Sequence, residues 1–132
     1  MHAVQYVTPP QGLTMIHLQC PLLDEHHTEF YALLDSFNPN AFEASFMRLL
    51  EHTRTHFAHE ESLMKEHRFQ GYFEHHEEHV KILSEMEYFL TLAQNGRYVF
   101  AKNYIAHGIQ ERFENHIRNI DSQLALFLKN LF

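Results

Sequence analysis

Apolar side chains return every three to four positions through most of this chain, the spacing of one helical face, and nowhere sustain the strict alternation of a half-buried strand. Leu23, His27, Phe30, Leu34 and Phe37 form the first stripe, which Asn38-Pro39 ends. Pro39 suits the start of the next helix, with Asn38 as its cap. That second helix carries Phe42, Phe46, Leu49, Thr53, His56, Glu60 and Leu63 on one face and fades near Phe69-Gln70-Gly71, where glycine permits a turn. A third stripe runs through Tyr72, His75, His79, Ile82, Met86, Phe89 and Ala93 and stops at Asn95-Gly96, a strong turn signal. The fourth begins near Arg97 and carries Ile105, Ile109, Phe113, His116, Ile120, Leu124 and Phe127, with Gly108 weakening its first half.

Residues 1–21 contain Pro9, Pro10, Gly12 and Pro21 without a sustained period, and read as an extended arm. Short connections favour antiparallel neighbours, so the expected fold is all-α. It is an up-down-up-down four-helix bundle over 22–132 behind the N-terminal arm.

Composition narrows the function. With 132 residues and 45% hydrophobic content, the chain can bury one real core. The lone Cys20 excludes an internal disulfide and a zinc ribbon, which fits a reducing cytoplasm. Neither an 18-residue apolar run nor a signal-peptide pattern is found, so no membrane association is expected. A formal charge of −7, with scattered Lys and Arg, argues against nucleic acid as a partner.

The thirteen histidines are the outlier. Chance alone supplies about one His-x-x-x-His pair at that frequency, so spacing is weak by itself. The chain has two such pairs, His52/His56 and His75/His79. Their place on the helices says more. His27, His56, Glu60, His75, His79 and His116 sit inside the apolar stripes where Leu or Phe would otherwise stand, and Asp121 lies beside the last one. Burying such groups without compensation costs several kcal/mol each, roughly, and more for a carboxylate. Metal ions supply the compensation. His75/His79 would clamp one ion, and His56/Glu60 would offer a nitrogen and a carboxylate. Iron, manganese and zinc all accept these donors. The other histidines, His2, His17, His26, His52, His59, His67, His76 and His107, fall off the stripes or in the arm and read as solvated or as supports for ligands. Glu77/Glu78 and Glu85/Glu87 read as a solvated helix face, and Met64 and Met86 as core filler.

Four blocks in order resemble the hemerythrin family, in particular its bacterial single-domain members, over roughly residues 22–128. Leu23-Asp24-Glu25-His26-His27 is similar to the family's I-D-x-x-H, and His56-Phe57-Ala58-His59-Glu60-Glu61-Ser62-Leu63-Met64 to H-F-x-x-E-E-x-x-M. His75 to His79 is similar to H-x-x-x-H, and His116 to Asp121 to H-I-x-x-x-D. The resemblance implies two iron ions with an oxo or hydroxo bridge, one held by His75, His79 and His116, the other by His27 and His56. Glu60 and Asp121 would bridge them, and dioxygen would bind at the less crowded iron. Phe57, Phe113 and Ile117 are the expected walls of that oxygen pocket, from their helical offsets to the ligands. The implied function is reversible dioxygen binding, as carrier, store or scavenger, with a reductase or electron donor as a possible partner. The alternatives are a diiron enzyme acting on peroxide, nitric oxide or ferrous iron, and an oxygen or redox sensor. Two features depart from the family: the chain has no Trp, and Arg112 stands four residues before His116.

Overall fold

The computed structural model describes residues 5–7 and 15–131. Apart from one two-stranded ladder these residues are all-α, in four helical stretches that follow the four stripes. The first three are α1 (Pro21–Asp35), α2 (Phe42–Glu66) and α3 (Tyr72–Gln94). The fourth, 98–131, is built in pieces: α4 (Tyr98–Asn103), a π turn (Tyr104–Gly108), α5 (Ile109–His116), a second π turn (Ile117–Asp121) and α6 (Ser122–Leu131). Among the described residues no helix is long and apolar enough to cross a membrane.

The second π turn alters the expected stripe. An α-helix stacks residues three and four apart, whereas a π turn holds one extra residue and stacks those five apart. Ile120, placed on the stripe by an unbroken period, is half-buried, while Asp121 is 2% exposed. Beyond it the buried positions become Leu124, Ala125 and Leu128. The insertion thus carries a carboxylate, five residues after His116, onto the face that His116 occupies.

The turns obey local chemistry, with two differences from expectation. Asn38 caps as expected, its side chain accepting from the Asn40 amide at 2.9 Å, but what it caps is a 3-10 turn, Pro39–Ala41, ahead of α2. Between α2 and α3 the left-handed residue is Arg68 (φ 55°), not Gly71. Gly71 is needed for space: a Cβ there would lie 2.7 Å from the Phe69 ring. Gly96, at φ 81°, ends α3 as Asn95-Gly96 foretold, and the Arg97 amide closes back onto the Leu92 carbonyl at 2.8 Å.

The arm holds more order than its sequence suggests. Strands β1 (Gln5–Val7) and β2 (Met15–His17) pair antiparallel, with Tyr6 opposite Ile16. Three-residue strands are too short to leave a periodic signal, although Ile16 and Leu18 are both buried with the half-exposed His17 between them. Asp24, buried in the first turn of α1, accepts the Leu18 amide at 2.8 Å and the Cys20 amide at 3.0 Å. One carboxylate therefore ties the last part of the arm to the first helix. The Cys20 thiol is buried there, and burial pushes its pKa up.

Candidate metal centre

Each helical stretch delivers polar groups to one buried place. From α1 comes His27, from α2 Glu60, from α3 His75 and His79, and from the last stretch His116 and Asp121; each is at most 5% exposed. One ligand atom from each of His75, His79, His116 and Asp121 lies within 4.8 Å of the others. Glu60 joins them, with Oε1 3.4 Å from His75 Nε2 and 3.2 Å from His79 Nε2.

The two carboxylates face two ways. Asp121 Oδ1 lies 3.1 Å from both His75 Nε2 and His116 Nε2, whereas its Oδ2 accepts a hydrogen bond from His27 Nε2 at 2.7 Å. Glu60 directs Oε1 to the α3 histidines and Oε2 to His26 Nδ1 at 3.4 Å. Each carboxylate thus spans two groups of nitrogens, which is how a carboxylate shares itself between two cations.

Whether a cation fits can be judged from the hydrogen bonds. His75 Nε2, His79 Nε2, His116 Nε2, Glu60 Oε1 and Asp121 Oδ1 are all buried without a hydrogen-bond partner, although they lie only 3.1–3.4 Å from one another. Buried polar atoms in native proteins are rarely left this way. His79 makes the point sharply. Its Nδ1 donates to Glu61 Oε2 at 2.8 Å, so the neutral ring has only a lone pair at Nε2, which faces a carboxylate oxygen. A cation between them turns that repulsion into two ligand bonds. These residues could therefore hold metal.

Electrostatics without metal points the same way. Burial and Asp121 push the Glu60 carboxyl up, but the neighbouring imidazoles of His26, His75 and His79 outweigh them and hold it below the usual carboxylate range. For Asp121, burial is likewise outweighed, by His116, His27 and His75. Burial lowers His116, yet Asp121 and then Glu78 and Glu60 raise it to about 9. In effect protons stand where cations would, balancing two buried carboxylates.

Outer carboxylates orient the buried histidines. Glu61 holds His79, and Glu78 lies 3.8 Å from His116 Nδ1, drawn down to a pKa of about 2 by His116 and by Arg112, whose Nη1 donates to it at 3.1 Å. Glu85 lies 3.6 Å from the same guanidinium. Glu78 and Glu85 are accordingly not part of a merely solvated face. Arg112 is engaged by these two acids and does not line the cavity beside the centre.

His26 and His56 differ from expectation. His26 is buried rather than solvated, and its ring lies tilted against that of His56, centroids 3.8 Å apart, while Nδ1 faces Glu60. His56 is half-buried, its Nε2 3.6 Å from Glu29 Oε2 and outside the group around Glu60. The adjacent His26-His27 pair explains why sequence missed this: neighbours on a helix point about 100° apart, and only contact with α2 shows that both directions lead inward. His52 and His76 are half-buried and His59 and His107 exposed, while His2 lies outside the described residues.

A small cavity of about 20 Å³ adjoins the centre, lined by Phe30, Phe57, Phe113, His56, Glu60 and Asp121 among others. That is room for one water-sized molecule. Of the three residues expected to wall an oxygen pocket, Phe57 and Phe113 line this cavity and the fully buried Ile117 does not. The Phe57 ring stacks on His79 at 3.7 Å and the Phe113 ring on Phe30 at 3.8 Å. Comparisons of the chain with family models, with curated proteins and with solved structures returned no match.

Proposed function

We propose that this protein is a non-haem diiron protein that binds dioxygen reversibly, as a carrier, store or scavenger, on the scaffold of an up-down-up-down four-helix bundle. The observation that carries this reading is the double-facing geometry of Glu60 and Asp121, whose separate oxygens address separate sets of histidines. His75, His79 and His116 would hold one ion, and His27 and His56 the other, with Glu60 and Asp121 shared. Two iron ions in this place would supply the electrons that reversible dioxygen binding needs.

The protein's own residues shape that chemistry. A donor set rich in neutral imidazole favours ferrous iron over higher oxidation states, which suits binding more than oxidation of a substrate. Glu61 fixes the His79 tautomer so that Nε2 is free to ligate. Phe30, Phe57 and Phe113 keep the neighbouring cavity apolar and small, which limits access of water to a bound gas molecule. Arg112, the feature that most favours an enzyme acting on peroxide, is occupied by Glu78 and Glu85, and this supports binding over turnover. A reductase or other electron donor would restore iron that becomes oxidised.

Anaerobic ferrous reconstitution tests the reading. The protein is expected to take up two iron ions per chain and, on exposure to dioxygen, to develop a visible charge-transfer band that fades under vacuum. A colourless mixture, or a band that persists, overturns it.

A further inference from the structure

Outside the buried centre lies a second group of ligating side chains, and we infer that Glu29, His52 and His56 form a solvent-facing site that captures a divalent transition-metal ion before it passes to the buried centre. The inference rests on the proposed function for the destination of the ion, not for the existence of the site.

The group follows from the sequence. His52 and His56 are four apart on α2 and so stack on one face, and Glu29 reaches them from α1. One ligand atom from each of the three lies within 4.8 Å of the others. His56 Nε2 is 3.6 Å from Glu29 Oε2, and the His52 and His56 rings are 3.9 Å apart. His52 Nε2 and His56 Nδ1 are buried without a hydrogen-bond partner. Two imidazoles and one carboxylate with open positions are a donor set suited to ferrous iron.

The position of the group gives it a direction. The Glu29 side chain is 45% exposed, that of His56 17%, and that of Glu60 2%. His52 and His56 line the same small cavity as His27, Glu60 and Asp121. An ion held by Glu29 and His52 therefore sits at the outer end of a path whose inner end is the buried carboxylate pair. His56 belongs to both ends: it faces Glu29 here, while the reading above assigns it to the buried centre. Meanwhile His26 faces Glu60, so the inner carboxylate keeps a partner until the ion arrives.

The test compares the wild type with Glu29→Gln, His52→Asn and the double variant, since neither residue belongs to the buried centre. Metal-free protein is mixed anaerobically with two equivalents of ferrous iron per chain in a stopped-flow instrument, and uptake is followed by competition with a coloured chelator. Expected is uptake at least tenfold slower in the double variant, with two ions per chain at the end. An unchanged rate overturns the inference, and so does a final content below two, which would make Glu29 and His52 part of the buried centre. Should no chain take up iron, the diiron reading fails, and a cobalt(II) titration still decides the outer site. Loss of one cobalt site in the double variant supports it; equal titrations overturn it. Far-ultraviolet circular dichroism is expected to be the same for all variants.

Discussion

If the second π turn exists to absorb one extra residue, removing a residue inside it should leave the helix faces in place. Deleting the exposed Asn119 converts the π turn at Ile117–Asp121 to an ordinary α-turn. His116 and Asp121 then stand four apart, still on one face, and Leu124, Ala125 and Leu128 keep their inward direction. A control deletion of Gln123, in α6, has no surplus residue to remove and rotates everything after it by about 100°. Leu124 and Leu128, 0% and 4% exposed, would leave the core. At about 2–5 kcal/mol for each lost leucine, the control forfeits on the order of 4–10 kcal/mol, much of the stability of a typical domain. The Asn119 deletion should cost at most about 1–2 kcal/mol, within the range of ordinary surface changes plus local adjustment. Urea unfolding of both variants, metal-free so that ligand geometry does not enter, measures the difference. Equal losses would refute the assignment of the π turn as a register device.

Replacing Glu61 by Gln weakens the hold on His79 Nδ1, and metal affinity measured by chelator competition is expected to fall by about 10–100-fold with little change in fold. In metal-free protein the raised pKa of His116 contributes stability that is complete below about 6.5, the ordinary imidazole value, and is lost as pH rises through about 9. Urea unfolding between pH 6 and 10 should show a fall on the order of 3 kcal/mol at most, and a rise across that window would contradict the buried pairing with Asp121. Gly71→Ala places a methyl group against the Phe69 ring and is expected to cost about 1–3 kcal/mol in the same assay, whereas an unchanged midpoint would show that the ring moves aside freely. Asp24→Asn removes the charged acceptor of two arm amides, and hydrogen exchange at Leu18 and Cys20 should accelerate.

The chain's own order of residues determines the four helical stretches, because burying one face of each needs only the three-and-four spacing that the sequence displays. It also marks which polar side chains lie on those faces: His27, Glu60, His75, His79 and His116 stand at apolar positions and are buried together. Three matters were settled by tertiary structure alone. The π turn that aligns Asp121 with His116 depends on the core rejecting Ile120 and accepting Asp121, Ala125 and Leu128, which no period of 3.6 reveals. The burial of His26 and the outward turn of His56 depend on how α1 meets α2, since two adjacent histidines carry no mark of which one a neighbour will cover. The roles of Glu61, Glu78 and Arg112 arise from contacts between helices far apart in sequence, and a charged residue at the edge of a stripe looks the same whether it meets water or the back of a buried histidine. Periodicity reports the face a side chain occupies, whereas only packing decides what lies opposite it.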